Sequence, residues 1–407
     1  MAQKDRYIFG LDLGTTKTCA LACCRGEEGR LEVASLGVAE SRGWRKGVIV
    51  NLDSAVLAIK KAVEAAESEA KVSFEWAYLG VGGGHVKGVN SRGAMTLGNH
   101  SREVTVEDKV RAFQAAKSIS LPPGQELIDA LRQEYLLDSQ DGIRDPLGMT
   151  GKCLEVNVHL ITASTTAWQN VVTAANRAGI KVPDSGTIFE ALASAWACLT
   201  EDERELGVAL LDIGGGSSEL IVFHHGTVRY TAVIAVGGEH FTNDIAVGLR
   251  TPIPEAEKMK RLWGDRDPVQ PADAPLEVPS VGERPTRVVS YATLSEIIEP
   301  RALELLELLQ AELARSGFEK QLGAGVVLTG GGAKLGGLTA LVEQVLGLPV
   351  RVGKPAGLGK MGDTLSDPAF ATVVGLVTYG NRLRLLRNSG DKSWAGKVWS
   401  ALRGKGA

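Results

Sequence analysis

Two acidic residues each stand at the end of a short apolar run, directly before a glycine-rich turn. The first is Asp12 in LDLGTTKT, and the second is Asp212 in LDIGGGSSE. Glycine leaves the backbone N–H groups of such a turn open to an anion, and nearby Thr and Ser hydroxyls add further donors. The two carboxylates could hold Mg²⁺, mostly through water molecules. We therefore interpret the two turns as a clamp for a phosphate chain and its metal ion.

The candidate phosphate-binding residues are the members of these two turns. They are Gly14, Thr15, Thr16 and Lys17 in the first turn, and Gly214, Gly215, Gly216 and Ser217 in the second. The lysine supplies a compact positive charge suited to phosphate. A single glycine-rich turn is more often a plain structural turn, so the repetition of strand, Asp, turn and strand supports the interpretation.

A third glycine cluster, TGGGAKLGG, follows a predicted strand at Val326–Leu328 and precedes a predicted helix at Leu338–Leu346. Its candidate residues are Gly330, Gly331, Gly332 and Gly336. Glycines at such a junction let a flat ligand such as adenosine lie against the backbone. The order and spacing of the three clusters fit one binding site between two duplicated lobes.

The elements that must position these residues are predicted from hydrophobic periodicity and turn residues. Each of the first two turns joins two apolar runs, which indicates a β-hairpin. Between residue 85 and about residue 159, short alternating stretches surround a predicted helix, which indicates an inserted α+β unit. Helices are predicted over residues 54–70, 106–118, 166–178 and 294–314. We expect a strand at Ile180–Val182, a loop over the proline-rich segment 265–285, and Pro300 near the start of its helix.

Composition excludes several classes of protein. The chain has 407 residues with 45 Lys and Arg against 48 Asp and Glu, so its formal charge of −3 provides no global attraction to nucleic acid. Its five cysteines form no C-x-x-C pair, which argues against a disulfide framework or a zinc site. No apolar run reaches the length of a membrane span, so a cytoplasmic protein is expected.

Together these motifs resemble the actin-like ATPase superfamily, which includes actin, sugar kinases and heat-shock chaperones. The resemblance implies ATP and Mg²⁺ as ligands, with Asp12 and Asp212 beside the metal. It also implies that Glu257 and Lys260, in AEKMKRLWG, touch adenine and ribose. Glu190 stands where chaperone-type members keep a water-orienting acid. Its alternative role is that of an acid favoured by the dipole at a helix N-terminus, so no catalytic residue is assigned.

Longer stretches, including SRGWRKGVI, VHLITA and VVLTGGGAKLGGL, resemble the bacterial FtsA family of cell-division proteins from about Tyr7 to Tyr379. The resemblance implies an α/β, actin-like fold of two lobes built from duplicated ribonuclease-H-like domains. The implied subdomains are IA over 1–84, 164–200 and 365–386; IC, an α+β insert, over 85–163; IIA over 201–229 and 295–364; and IIB over 230–294. Residues 387–407 would form a linker and an amphipathic helix.

The same resemblance implies a function. The chain would tether FtsZ filaments to the cytoplasmic face of the inner membrane at the division site and recruit later divisome membrane proteins. It would also self-associate into filaments that depend on nucleotide, with ATP hydrolysis slow or absent. Two alternatives from the same superfamily remain open: an exopolyphosphatase or guanosine-pentaphosphate phosphatase, and a pilus-assembly ATPase-like protein.

The C-terminal tail has the pattern of a membrane anchor. On a helix, residues 392–403 separate into an apolar side and a basic side. The apolar side includes Trp394, Val398, Trp399 and Leu402, and the basic side includes Lys397 and Arg403. A cationic helix with Trp on its apolar face is typical of binding to an anionic lipid surface. The alternative is a core helix docked on the lobes.

Overall fold

Each lobe is built around a central sheet. The computed structural model describes residues 6–26, 30–45, 47–184, 186–264, 273–282 and 284–388. The first lobe begins with β1 Tyr7–Leu13, β2 Lys17–Arg25, β3 Leu31–Glu40, β4 Trp44–Arg45, β5 Val48–Ile49, α1 Leu52–Ala70 and β6 Tyr78–Val81. The inserted subdomain follows with β7 Lys87–Thr96, β8 Arg102–Glu103, α2 Val106–Lys117, β9 Gln125–Leu137, β10 Gln140–Ile143, β11 Thr150–Gly151 and β12 Cys153–Ser164.

The chain then returns to the first lobe and crosses into the second. The return is made by α3 Thr165–Arg177, β13 Thr187–Phe189 and α4 Glu190–Cys198. The second lobe contains α5 Glu201–Leu206, β14 Val208–Ile213, β15 Ser218–His224, β16 Thr227–Ile234, α6 Gly238–Gly248, α7 Ile253–Gly264, β17 Pro275–Val278, β18 Arg287–Ser290, α8 Tyr291–Ser316, β19 Val326–Thr329, α9 Leu338–Leu346 and β20 Val350–Val352. The last helix described, α10 Ala371–Asn388, packs back on the first lobe.

The two central sheets have the same topology. The strand order is β3-β2-β1-β6-β13 in the first lobe and β16-β15-β14-β19-β20 in the second. In each, the first three strands are antiparallel neighbours and the remaining pairs are parallel. Both predicted hairpins, β1–β2 and β14–β15, are confirmed. The duplication inferred from two short motifs therefore extends over whole sheets.

Helices α4 and α10 join the lobes. Gly375 of α10 lies so near α4 that a Cβ there would fall 1.8 Å from the carbonyl oxygen of Ala193, which only glycine allows. The core around this contact draws side chains from both lobes, such as Leu21 of β2 and Leu210 of β14. This close packing sets where the two hairpin turns lie relative to each other.

The inserted subdomain has its own sheet and core. The sheet has the order β10-β9-β12-β7, and α2 packs across it around Phe113 and Leu154. Thr105 and Asp108 form a capping box that begins α2. At the base of the subdomain, Ile128 and Ile161 enter the core shared by the lobes. The insert is thus an α+β unit, as predicted, but it is not separable from the rest of the core.

Two local predictions are wrong and a third holds only in part, and each departure lies near a proline. Ile180–Val182 contributes a single parallel bridge, between Lys181 and Trp76, because the chain turns at Pro183 before the strand β13. Within the predicted loop 265–285, β17 pairs with β18; Pro275 opens an edge strand, where its lack of an N–H costs little. Helix α8 begins at Tyr291, so Pro300 lies inside it rather than near its start.

The predicted amphipathic helix lies outside the described residues. This applies to its named members Trp394, Lys397, Val398, Trp399, Leu402 and Arg403. Of the helices described through Asn388, none is both long and apolar enough to cross a bilayer.

Candidate functional site

A cleft of about 630 Å³ lies between the lobes, where the β1–β2 and β14–β15 turns face each other. This volume suits a nucleotide-sized ligand. The structure brings nearly all the candidate residues to its wall: Asp12, Gly14, Thr15, Thr16, Lys17, Glu190, Asp212, Gly214, Gly215, Gly216, Ser217, Glu257, Lys260, Gly330, Gly331 and Gly332. Gly336 lies instead in the turn before α9 and is not among the lining residues.

The two turns approach each other closely. A Cβ on Gly215 would fall 2.6 Å from Cγ2 of Thr16, across the cleft. Behind the second turn, the N–H groups of Gly238 and Glu239 donate to the carbonyl oxygens of Gly214 and Gly215 at 2.9 and 2.8 Å. The start of α6 therefore holds the second turn in place, and a bulkier residue at position 215 would push the turns apart.

Lys17 holds its charge at the wall of the cleft. The side chain begins at the first residue of β2, and its Nζ donates a hydrogen bond to the carbonyl oxygen of Ala369. The same ammonium group lies 4.1 Å from the ring centroid of Phe370. Both partners belong to the short 3-10 turn that precedes α10. The lysine is thus positioned by a segment 352 residues away in sequence.

Asp12 and Asp212 end strands β1 and β14 and are almost fully buried. Oδ2 of Asp212 accepts hydrogen bonds from Ser194 at 2.5 Å and from Thr372 at 3.3 Å. Burial raises the pKa of Asp212, although these two hydroxyls oppose the shift. Burial also raises the pKa of Asp12 to about 6; Lys17 opposes this rise and the Asp212 charge adds to it. A cation between the two carboxylates would relieve both penalties.

The donor set fits Mg²⁺ only with help from a ligand. Within the described ranges, no group of three or more His, Cys, Asp or Glu residues could hold a metal ion. Mg²⁺ is commonly bound by one or two carboxylates while keeping several waters and contacting substrate phosphates. Asp12 and Asp212 match that pattern, so the site suits a metal that arrives with a phosphate chain.

Glu190 and Glu219 add two further acids to the cleft. Burial raises the pKa of Glu190 well above its ordinary value, and the charges of Glu219, Asp12 and Asp212 raise it further. Burial likewise raises the pKa of Glu219 to about 8, against the effect of its hydrogen bond from the backbone of Gly83. Burial therefore favours the protonated form of both carboxyl groups.

Sequence reasoning missed Glu219, although the signal was present. Pairing of β14 with β15 places Glu219 directly opposite Asp212. Side chains of directly paired residues share one face of a sheet, so the hairpin register alone puts Glu219 beside the metal candidate. Trp44 and residues 80–83, at the end of β6 and the start of the following loop, also line the cleft and were not predicted to do so.

The three cleft-lining glycines of the third cluster have different surroundings. Gly330 has a φ of +80°, and a Cβ there would fall 2.3 Å from Oδ1 of Asp212. A Cβ on Gly332 would fall 2.2 Å from Cγ2 of Ile213. A Cβ on Gly331 would meet only the Cβ of Ala369, at 3.9 Å. Gly331 is therefore the member that opens onto free space in the cleft.

Glu257 and Lys260 line the far end of the cleft and contact each other. Nζ of Lys260 donates to Oε2 of Glu257 at 2.6 Å, to Oγ1 of Thr242 at 3.0 Å and to the carbonyl oxygen of Gly238 at 3.1 Å. Despite burial, the lysine and Thr242 hold the pKa of Glu257 below its ordinary value. A ligand that hydrogen-bonds to either side chain must therefore compete with these existing hydrogen bonds.

Two family models match the chain. The model described as cell division protein FtsA covers residues 209–375, and the one described as the SHS2 domain inserted in FtsA covers residues 83–162. The chain is 42% identical to the cell division protein FtsA of Pseudomonas aeruginosa, over 93% of this chain and 90% of the relative. It is 37% identical to the Escherichia coli K12 protein of the same name, over 94% and 92%.

Solved structures with the same fold are more distant in sequence. A PilM–PilN type IV pilus biogenesis complex matches with a TM-score of 0.64 at 19% identity, over 92% of this chain and 98% of the other. MreB5 of Spiroplasma citri bound to ADP matches with a TM-score of 0.56 at 14% identity, over 95% and 100%. These likenesses confirm the predicted actin-like fold.

Proposed function

Since the chain belongs to the FtsA family of cell division proteins, we propose that it binds Mg·ATP in the cleft between its lobes and uses the nucleotide as a conformational switch. The observation that carries this proposal is the pair of facing glycine-rich turns, each with a buried aspartate at the end of its first strand. A fold neighbour, MreB5, was solved with ADP, which supports a nucleotide as the ligand.

The residues that line the cleft would contact different parts of the nucleotide according to their positions. Backbone N–H groups of the two turns bind phosphate oxygens, and Lys17 adds a positive charge already fixed at the wall. Asp12 and Asp212 hold Mg²⁺, which neutralises phosphate charge when bound. Gly330, Gly331 and Gly332 accept the adenosine, and Glu257 with Lys260 contacts its base and ribose. Closing the lobes on this ligand would be the switching movement.

Hydrolysis would be slow at most. A general base must be ionised to take a proton from water. Glu190 is the acid best placed for that role, yet burial and three neighbouring carboxyl groups keep its pKa well above the ordinary value. We therefore assign the nucleotide a regulatory role, and Glu190 remains a candidate without an assigned reaction.

At the division site, this chain would link FtsZ filaments to the inner membrane from its cytoplasmic face. The tail helix over residues 392–403 would bind anionic lipid, FtsZ would dock on the second lobe between about residues 230 and 294, and later divisome membrane proteins would be recruited. Head-to-tail self-association would produce filaments. Family membership supports these partners, and the composition of the tail supports the lipid contact.

A calorimetric titration with Mg·ATP tests the nucleotide proposal. Asp212→Ala should weaken binding more than tenfold, a loss of at least ~1.4 kcal/mol, because it removes a buried metal ligand. Glu307→Ala, on an exposed position of α8, is the matched control and should bind as the wild type does. Equal affinity for Asp212→Ala would refute the two-turn site.

The same titration, together with a phosphate-release assay, distinguishes this proposal from the rival enzyme class. An exopolyphosphatase would release phosphate from polyphosphate and show no heat with ATP. A pilus-assembly role is favoured only by the PilM–PilN fold match, at 19% identity. The 42% identity to a cell division protein over 93% of the chain outweighs it.

A further inference from the structure

Glu219 joins separate parts of the molecule. The residue is 4% exposed, and its two carboxyl oxygens accept hydrogen bonds from different backbone N–H groups. Oε1 accepts from Gly83 at 2.7 Å, in the loop that follows β6 of the first lobe. Oε2 accepts from Ala191 at 3.1 Å, in the first turn of α4. A side chain of the second lobe is thus anchored to two backbone segments outside its own sheet.

The loop that meets Glu219 is shaped for this contact. A Cβ on Gly82 would fall 2.2 Å from Oε1 of Glu219 and 2.3 Å from Oε2 of Glu190. Gly83 has a φ of +93°, a conformation that other residues adopt only with strain. The two glycines therefore allow the carboxyl group to reach the backbone directly.

Gly83 lies at the root of the inserted subdomain, four residues before β7 begins. A second set of contacts ties the body of the insert to β16 of the second lobe; we call it the seam. Asn90 Nδ2 donates to the carbonyl oxygen of Arg229 at 3.1 Å, and Gln133 Nε2 to that of Val228 at 2.8 Å. Arg229 Nη1 donates to Oε1 of Glu134 at 2.8 Å.

The seam and Glu219 are on neighbouring strands. Strand β15, which carries Glu219, pairs with β16, so that Glu219 lies opposite Val233. The glycine-rich turn ending at Ser217 leads directly into β15. Because a hydrogen-bonded sheet moves as a unit, a ligand that shifts this turn displaces both Glu219 and the strand of the seam. The hydrogen bonds of the seam include exposed ones, such as that from Asn90 to Arg229, which can be exchanged for water at low cost.

We propose that Glu219 is a positioning residue that latches the root of the inserted subdomain to the second glycine-rich turn, so that a ligand in the cleft changes how tightly the insert is held along the seam. The part that concerns the ligand rests on the proposed nucleotide binding. The latch itself does not, since its hydrogen bonds join groups of the protein only. Through it, the insert follows the second lobe although its chain emerges from the first.

Hydrogen exchange of the full-length chain, read on peptides covering residues 82–90 and 227–234, tests the latch without nucleotide. Glu219→Gln replaces one accepting oxygen with an amide nitrogen, which cannot accept a hydrogen bond, and Glu219→Asp keeps the carboxyl group but shortens its reach. Both variants should raise exchange in the two peptides about tenfold, the change expected for one lost hydrogen bond of this kind. Glu205→Gln is the matched control, because this second-lobe acid contacts the insert through an exposed pair with Arg144 at 2.5 Å.

A second arm adds saturating Mg·ATP, with binding measured separately by calorimetry. In the wild type and in Glu205→Gln, nucleotide should change exchange in residues 227–234 at least about threefold. In both Glu219 variants, each brought to its own saturation by calorimetry, exchange in this peptide should remain unchanged. Unaltered exchange in the ligand-free Glu219 variants would overturn the latch. Bound nucleotide without any change in the wild-type seam would overturn the coupling. A wild type that binds no nucleotide would refute the proposed function, while the first arm still decides the latch.

Discussion

At the scale of single residues, variants of the third glycine cluster distinguish an effect on stability from an effect on ATP binding. In Gly331→Val the new Cβ meets only Ala369, so the melting temperature should change little. The same side chain would fill the space proposed for adenosine, and ATP affinity should fall more than tenfold. Calorimetry and a thermal melt of one preparation measure both quantities. Normal ATP binding by this variant would show that the cluster is only a structural turn.

Gly332→Val is the matched comparison. Its Cβ would clash with the side chain of Ile213, which is fully buried. Forcing apart a packed contact of this kind costs about 1–3 kcal/mol, so this variant should unfold at lower temperature whether or not ligand is present. Equal destabilisation by Gly331→Val would mean that Gly331, like Gly332, lies in a packed contact.

His159 predicts a pH dependence of stability. Its Nδ1 donates to Oδ1 of Asn90 at 2.7 Å, Nε2 accepts from Thr231 at 2.9 Å, and burial lowers its pKa to about 4. Between pH 6.5 and 4 the unfolded chain binds a proton that the folded histidine resists. The stability that His159 contributes should therefore fall as the pH drops through this window, by on the order of 3 kcal/mol. Buried acids with raised pKa values, such as Glu219, change the stability in the opposite direction.

Denaturant melts at pH 7.5 and pH 5 measure this contribution. Compared with the wild type, His159→Gln should be shifted toward higher stability at pH 5 relative to pH 7.5, because it removes the titrating ring. The exposed His100 provides a control, and His100→Gln should keep the wild-type dependence. An unchanged profile in His159→Gln would show that other groups cause the acid sensitivity.

At the scale of elements, the tail can be tested by its two faces. Trp394→Glu with Trp399→Glu removes the apolar anchors, which supply a few kcal/mol of burial. Co-sedimentation with anionic liposomes should then disappear at every salt concentration. Lys397→Glu with Arg403→Glu should instead weaken binding most at low salt, where charges are least screened. Both variants should retain ATP affinity.

The opposite result would reassign the tail. If the double-Trp variant still sediments with liposomes, the indoles are not the anchor. If it unfolds or loses ATP binding, the tail is a helix docked on the lobes.

At the scale of the whole molecule, the inserted subdomain is expected to supply one face of the head-to-tail contact between copies. Replacing residues 85–163 with a short glycine linker should abolish filaments on lipid vesicles, as seen by electron microscopy. Calorimetry should still detect nucleotide binding by this variant. The deletion also removes Ile128 and Ile161 from the shared core, so the melting temperature should fall. Filaments formed by a folded deletion variant would contradict the assignment.

Much of this architecture follows from local sequence. An aspartate at the end of an apolar run, a glycine-rich turn and a second apolar run specify a hairpin within about twenty residues, and both hairpins formed as predicted. Their repetition indicated two lobes, and the resemblance to a family supplied the rest of the fold. Proline misled the local predictions, because its effect depends on whether the position needs an N–H, as Pro275 shows.

The tertiary structure decided which separated residues meet. Gly83 and Glu219 are 136 positions apart, and Lys17 is held by a carbonyl group 352 positions away. No periodicity or motif encodes such a pair, because the contact exists only once two sheets are packed around α4 and α10. Burial is decided at the same level. The sequence does not show that Glu190 and Glu219 are removed from water, and it is this removal, together with neighbouring carboxyl groups, that raises their pKa values.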